Sequence, residues 1–213
     1  MAHEFEARLD AIRSASDGHL GMGQIFELAK ELIDMDPTEV ERLLESPRHE
    51  DRVGAVSIMD WQARSKKTPP ERRRELFELY IRRHDLIDTW DLVDRGAIWV
   101  VGEYLVGKLH DVLYELAKSE RPMERRTAIL STFAFIRRGD VDDSLQIAEI
   151  LVNDTNELVQ KAVGWMLREV GKKAPDRHAD FLDRHATTMP RVELRYAIEK
   201  LTPERRKHYL DLR

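Results

Sequence analysis

Apolar residues recur at intervals of three and four along almost the whole chain, and this spacing constrains the fold more than any other feature. It is typical of helices with one buried face, and no stretch alternates apolar and polar residues as a half-buried strand would. Expected helix starts lie near residues 37, 51, 70, 89, 104, 122, 141, 155, 175 and 190. Helix pairs would then repeat about every 33 to 37 residues, which is solenoid spacing.

We therefore predict an all-α fold, a HEAT-like repeat α-solenoid forming a single domain over residues 1–213, with an irregular helical bundle as the alternative. Prolines mark several of the expected starts, because a proline at the first helical position loses no hydrogen bond. The spacing also predicts a helix from Leu105 to Leu116. Asp154 and Glu157 are expected to be the N-cap and N3 residues of the helix that ends near Lys172.

The charge of the chain is unevenly distributed. Residues 1–60 carry 6 basic and 14 acidic side chains, a net of -8, whereas residues 61–213 carry 29 and 26, a net of +3. Residues 64–84 hold eight basic side chains against three acidic ones, which indicates either a basic patch or a solvated helix face. We therefore divide the solenoid into acidic N-terminal repeats, 1–60, and repeats that carry the candidate active site, 61–213.

Several classes of protein are disfavoured by composition. The chain has no cysteine, which removes disulfides, thiolate catalysis and cysteine-bound zinc. His178 and His185 are seven residues apart, so a metal site is not expected. Since the N-terminus is acidic and no run of 18 uncharged apolar residues occurs, we expect a cytoplasmic protein with no membrane contact.

The segment from Asp88 to Asp94 places an indole and a carboxylate one helical turn apart on a face that is otherwise apolar. A carboxylate among apolar neighbours loses hydration and needs a partner or keeps its proton. Asp94 is therefore a candidate functional residue beside Trp90, although a structural role fits the spacing equally well. For Asp91 a role at the helix end is favoured, with Asp88 as N-cap and Asp91 at N3.

The helix that begins near residue 158 has an indole outside its core face. That core face is expected to comprise Leu158, Val159, Ala162, Val163, Met166 and Val170. Trp165 lies instead within a stripe of cations, Lys161, Arg168 and Lys172. An exposed indole beside cations fits nucleic-acid contact, with the ring meeting a nucleotide and the cations meeting phosphates. Packing of a cation on the ring is the equally weighted alternative.

Arg126 lies at the edge of another expected core face. That face, in the helix from Met123, comprises Ile129, Thr132, Phe133 and Ile136. The guanidinium of Arg126 should therefore be partly desolvated and should need an anionic partner, either Asp94 or a phosphate. Arg125, by contrast, could as easily be solvated.

Taken together, three segments of the chain resemble the AlkD-type DNA glycosylases, which are DNA alkylation repair enzymes built from HEAT-like repeats. They are Trp90–Asp94, Arg126–Leu130 and Gln160–Glu169, in matching order and separation, and the third is the most specific. The similarity extends from about residue 40 to residue 201, while residues 1–40 match only loosely.

The resemblance implies a curved α-solenoid whose concave, basic face holds double-stranded DNA. It implies a base excision repair hydrolase that cleaves the N-glycosidic bond of N3- or N7-alkylated purines as a monomer and without metal or organic cofactor. It further implies that Asp94 is the catalytic aspartate, that Trp90 and Trp165 pack around the lesion nucleotide, and that Arg126 lines the cleft. A non-catalytic HEAT-like module that binds DNA or protein is the competing class, and it would be expected to have lost Asp94 or an indole.

Overall fold

The computed structural model describes residues 1–16 and 18–212, and all regular structure within them is helical. Proline begins several helices, as the sequence predicted: Pro37, Pro70, Pro122 and Pro175 each occupy the first helical position. The helices are α1 (Ala2–Ala15), α2 (Met22–Glu31), α3 (Pro37–Leu44), α4 (His49–Arg64), α5 (Pro70–Arg82), α6 (Trp90–Gly96), α7 (Glu103–Leu105), α8 (Asp111–Ala117), α9 (Pro122–Ser131), α10 (Phe133–Ile136), α11 (Asp142–Leu151), α12 (Glu157–Lys173), α13 (Pro175–His185), α14 (Arg191–Ala197) and α15 (Pro203–Asp211).

The chain forms two compact units, Met1–Tyr104 and Leu105–Arg213. Their boundary falls 44 residues beyond the change of net charge at residue 60. The charge division inferred from the sequence therefore does not coincide with a structural one, and the single domain over residues 1–213 stays a prediction.

Helix α4 is the centre of the first unit, where it packs against α2, α3 and α6. Residues 53–60 of this helix are all buried, because neighbours cover it on every side. Gly54 permits the closest approach, since a Cβ atom there would lie 2.1 Å from Cζ of Phe5 in α1. The first unit is thus wrapped around one helix, with the large apolar side chains of α1, α2 and α3 covering it.

Helix α12 has the corresponding position in the second unit, where it packs against α9, α11, α13 and α14. The predicted core residues are buried, with the exception of Leu158, which is half-buried: Val159, Ala162, Val163, Met166 and Val170. Phe133, also assigned to a core face, is half-buried. The apolar periodicity therefore identified the buried face of α12 almost completely.

Two local predictions were wrong. Residues 106–110 form a loop between α7 and α8, not part of a helix from Leu105 to Leu116. Gly107 has φ +74° there, a left-handed conformation that favours glycine and ends the helix. The N-cap of α12 is Asn156, whose side chain accepts hydrogen bonds from the backbone N–H groups of Leu158 and Val159, and not Asp154.

Candidate active site

Helix α6 places Trp90 and Asp94 on successive turns, as the sequence predicted. Thr89 has an extended backbone, with φ -123° and ψ 155°, so the helix begins at Trp90. Trp90 is 52% exposed. Asp94 is half-buried one turn later, and Ala97, the next residue along this face, is fully buried. The carboxylate therefore lies where this face passes from solvent into the core.

Asp91 is held in a network that explains it structurally. It accepts hydrogen bonds from Thr89 Oγ1 at 2.7 Å and interacts with His49 Nε2 at 2.7 Å. Burial acts to raise the pKa of Asp91, but the bonds from Thr89 and His49 outweigh it and leave that pKa below its ordinary value. The N-cap of α6 is Thr89 and not Asp88, which instead pairs with Arg52 at 3.3 Å.

A π-helical turn, Ala97–Gly102, follows α6 directly and was not predicted. Its hydrogen bonds span five residues instead of four, so it shifts the helical phase of everything after it. Gly96, at the junction, lies against Tyr80, where a Cβ atom would be 2.5 Å from Cε2. Such turns occur frequently at functional sites, and this one begins three residues after Asp94.

In the second unit, Arg126 on α9 is buried, with 6% of its surface exposed. Its guanidinium donates a hydrogen bond to the backbone carbonyl of Leu158 in the first turn of α12. The expected desolvation of Arg126 is thus confirmed. The hydrogen bond with Glu157 raises the pKa of Lys161, one turn beyond Leu158, while the positive charge of Arg126 acts weakly in the opposite direction.

Trp165 is half-buried on α12 and lies beside Phe133, with ring centroids 6.4 Å apart. The three cations of the stripe around it all pair with carboxylates in this structure. Lys161 pairs with Glu157 at 2.6 Å, Lys172 with Glu169 at 2.7 Å, and Arg168 with Glu169 at 3.4 Å and also with Glu199. A phosphate that binds this stripe has to compete with those carboxylates.

Arg125 is not solvated, in contrast to the alternative considered from the sequence. Its guanidinium donates two hydrogen bonds, of 2.5 and 3.0 Å, to the carboxylate of Asp154, and both side chains are largely buried. This pairing explains why Asp154 is not the N-cap of α12.

The sequence reasoning missed a group of rings and cations in the first unit. Trp61 and Arg64 are three residues apart on α4, so helical spacing alone could have paired these two, whereas the contacts with Arg95 and Trp99 join distant parts of the chain and leave no periodic signal. Arg64 lies over Trp99 at 4.6 Å, and Arg95 lies over Trp61 at 5.3 Å.

No group of three metal-ligating side chains occurs within residues 1–16 and 18–212. In that same part of the chain, no helix is both long and apolar enough to cross a membrane.

The model of the DNA alkylation repair enzyme family matches residues 20–201 of this chain. Among solved structures, a predicted DNA alkylation repair enzyme from Enterococcus faecalis is similar, with a TM-score of 0.67 and 16% identity over 94% of this chain and 96% of that one. AlkD2 from Streptococcus mutans has a TM-score of 0.58 and 18% identity over 100% of this chain and 97% of that one. No curated protein sequence matches significantly.

The all-helical class is confirmed by the structure, and the helical-repeat architecture by its similarity to these solved structures. At such low identity the similarity establishes the fold, while the family match rests on the sequence of residues 20–201.

Proposed function

The chain belongs to the family of DNA alkylation repair enzymes, and from this premise we propose that it is a DNA glycosylase acting on positively charged N3- and N7-alkylated purines in duplex DNA. The observation that carries the proposal is the arrangement on α6. An exposed indole and a half-buried carboxylate lie one turn apart there, with no role in capping the helix. Asp91 is bound by Thr89 and His49 at the start of the helix, whereas Asp94 lies one turn from the exposed Trp90 on the same face, so Asp94 is the carboxylate that we assign to the reaction.

The proposed reaction is hydrolysis. The bond between C1′ of the deoxyribose and the purine nitrogen breaks, its electron pair stays with the base, and the alkylated base leaves neutral because it was cationic in the nucleotide. Water then bonds to C1′ and loses a proton to solvent. Since the leaving group needs no protonation, no strong general acid is required. The transition state resembles an oxocarbenium ion, and Asp94 would stabilise its positive charge and orient the water.

The other assigned residues contact the DNA. We propose that Trp90 and Trp165 present their ring faces to the lesion nucleotide, where a cationic base or sugar is favoured by the ring quadrupole. Arg126, which is held by its bond to the backbone carbonyl of Leu158, would direct its positive charge toward a phosphate. The stripe Lys161, Arg168 and Lys172 would exchange its carboxylate partners for phosphates on binding.

Selectivity in this proposal comes from the charge of the lesion and not from a pocket that reads the base. Glycosylases that flip their target enclose it and bond to its edge, whereas the assigned residues comprise indoles and a carboxylate suited to the deoxyribose. Bulky cationic N7 or N3 adducts should therefore also be released. We propose that the protein acts in this way as a cytoplasmic monomer.

The experiment is a panel of defined duplexes compared at single turnover. N3-methyladenine and N7-methylguanine should be released, whereas neutral hypoxanthine, uracil and 1,N6-ethenoadenine should not. Efficient excision of a neutral lesion would contradict selection by charge. Absence of release from every duplex, with the protein shown to be folded, would contradict the glycosylase assignment.

The ion pairs of the α12 stripe favour a second candidate, a non-catalytic HEAT-like module for DNA structures or a protein partner. Pairing of Lys161, Arg168 and Lys172 with carboxylates lowers the positive potential that a polyanion would meet. Binding of duplex DNA without base release would support the module.

A further inference from the structure

Three rings and two guanidinium groups alternate in the first unit, and we call Phe26, Arg95, Trp61, Arg64 and Trp99 the cation–aromatic ladder. The guanidinium carbon of Arg95 lies 4.3 Å from the ring centroid of Phe26 and 5.3 Å from that of Trp61. That of Arg64 lies 5.8 Å from Trp61 and 4.6 Å from Trp99. Each guanidinium therefore has two rings as neighbours. The ladder draws on α2, α4, α6 and the π turn.

A buried carboxylate and a hydrogen bond to the backbone fix the ladder in position. Asp60, with no exposed side-chain surface, pairs with Arg64 at 2.8 Å and with Arg95 at 3.2 Å. Trp61 Nε1 donates a hydrogen bond of 3.2 Å to the backbone carbonyl of Phe26, which fixes the central ring. Burial raises the pKa of Asp60, although Arg95 and Arg64 act against it. The two guanidinium groups are thus fixed by rings and by a buried carboxylate.

The ladder has an excess of positive charge. The ammonium group of Lys30 lies 5.2 Å from the ring centroid of Trp61, and within residues 1–16 and 18–212 it forms no ion pair with a carboxylate. Three cationic groups therefore lie beside these rings, and the carboxylate of Asp60 pairs with two of them, Arg64 and Arg95. In contrast, most arginines of the acidic segment 1–60 pair with carboxylates, such as Arg8 with Glu31 and Arg13 with Glu50.

The cationic surface continues along the chain beyond Arg64. The loop after α4 and the first turn of α5 line a cleft of about 620 Å³, whose charged lining residues are Lys66, Lys67 and Arg72 together with Asp34. Arg73 fixes this loop by donating hydrogen bonds to the backbone carbonyls of Ala63, Ser65 and Thr68. The backbone that carries Lys66 and Lys67 is therefore held in place directly after the end of α4.

A guanidinium group that uses its face on a ring keeps the N–H groups of its edge available, and those edges match the oxygens of a phosphate. Packing between rings also restricts the side chain beforehand, so less conformational entropy is lost on binding. A nucleobase would have to displace a cation to stack on the rings. The backbone phosphates of a nucleic acid need no such displacement. Arg64, whose side chain is 37% exposed, is the member best placed to meet them.

We propose that the cation–aromatic ladder is a phosphodiester-binding surface of the first unit, with Arg64 and Lys30 as its contacts to the backbone of duplex DNA. The inference rests on the duplex binding in the proposed function and adds two contacts from helices other than that of Asp94, Lys30 on α2 and Arg64 on α4. It anchors the DNA and touches no reacting atom. Its loss should therefore weaken binding and leave the rate of base release at saturating DNA unchanged.

The test is the salt dependence of binding to an undamaged duplex. Arg64→Gln and Lys30→Gln should each flatten the slope of log affinity against log salt concentration by roughly one unit and weaken binding several-fold at low salt. Arg82→Gln is the matched control, because Arg82 is exposed and paired with Glu41, which keeps Arg83 as a partner. It should change neither quantity. Arg64→Lys should keep the slope, since the charge remains, but bind more weakly than the wild type because it lacks the planar edge.

Fluorescence gives a second readout that does not depend on activity. The chain has four tryptophans, so Trp90→Phe with Trp165→Phe leaves the two ladder indoles, Trp61 and Trp99, as the remaining ones. Undamaged duplex should change their emission, and Arg64→Gln in that background should reduce the change.

Equal salt slopes for Arg64→Gln and Arg82→Gln, both folded by circular dichroism, would overturn the inference. So would unchanged ladder fluorescence with bound DNA, or no binding of the wild type at low salt. The proposed glycosylase activity fails on a different result, the absence of base release from alkylated duplexes, so the two failures are distinguishable.

Discussion

Gly164 on α12 lies directly against the backbone of Glu193 on α14. A Cβ atom at residue 164 would be 2.4 Å from the carbonyl oxygen of Glu193 and 2.6 Å from Cβ of Tyr196. Backbone cannot move aside as a flexible side chain can, so Gly164→Ala should force α12 and α14 apart. We expect a loss of about 2 kcal/mol or more in the free energy of unfolding, the scale of overpacking a core. Urea denaturation measures it.

Gly23→Ala is the matched control for this change. Gly23 is also helical, on α2, but nothing lies within 4 Å of a Cβ atom placed there. Alanine has a higher helix propensity than glycine, so the free energy of unfolding of the variant should equal that of the wild type or exceed it by up to about 1 kcal/mol. Equal stability of the two alanine variants would contradict the close approach at Gly164.

Glu193 itself should make stability depend on pH. It is fully buried, neither carboxyl oxygen has a hydrogen-bond partner, and burial, with the charge of Asp154, raises its pKa from 4.5 to about 9. Below pH 4.5 Glu193 is protonated in both the folded and the unfolded chain, so its titration does not reduce the stability of the fold. Between pH 4.5 and 9 only the folded chain holds it, and stability should fall by about 1.4 kcal/mol per pH unit from this group.

Glu193→Gln removes the titration and keeps the shape. Comparing its unfolding free energy with that of the wild type at pH 5, 7 and 9 isolates the contribution of residue 193. The free energy of unfolding of the variant should rise relative to that of the wild type as the pH increases, by roughly 3 kcal/mol between pH 5 and 7. Parallel pH profiles would show that Glu193 is ionised in the folded protein.

Asp94→Asn should lower the single-turnover rate of alkylpurine release by about 10²-fold or more, the scale of removing one preorganised electrostatic group. Affinity for duplex DNA should stay within a few-fold of the wild type, because no phosphate contact is lost. Asp91→Asn is the control: it weakens the bonds to Thr89 and His49 and costs about 1 kcal/mol of stability, yet it should keep the rate. Equal rates for the wild type and a folded Asp94→Asn variant would refute the assigned role.

Glu169→Gln should strengthen DNA binding. Glu169 pairs with both Lys172 and Arg168, so neutralising it releases Lys172 toward phosphates and leaves Arg168 paired with Glu199. We expect a several-fold gain in affinity at low salt and a steeper salt slope, by up to about one unit. Glu149→Gln is the control, because Glu149 pairs with Arg184 and His185 outside the stripe. If both variants bind alike, the stripe does not face DNA.

Helix starts were predictable from the sequence where a local signal decides them. Proline at residues 37, 70, 122 and 175 fixes its own backbone and needs no hydrogen bond at a first helical position. The loop at Gly107 was missed because apolar residues continue in helical register from Leu105 to Leu116, and periodicity cannot detect a glycine that has turned left-handed.

The N-cap of α12 could not be decided locally. Asp154 and Asn156 are both good capping residues, and the choice between them depends on Arg125, 29 residues earlier in the chain, which takes Asp154 into a buried ion pair. The same limit applies to the stripe around Trp165. Its spacing was evident, but Glu199, which pairs with Arg168, lies on a different part of the chain. Partners distant in sequence leave no periodic signal.

The π turn at Ala97–Gly102 divides one continuous helical segment into two parts that are out of phase with each other. Trp90 and Asp94 belong to the part before it, and Trp99 belongs to the turn itself. Lengthening or shortening this turn by one residue would rotate Trp99 by about 100° and leave Trp90 and Asp94 where they are. The position of Trp99 can therefore change in evolution independently of Trp90 and Asp94, so a descendant could alter the ring at one end of the ladder without displacing the carboxylate.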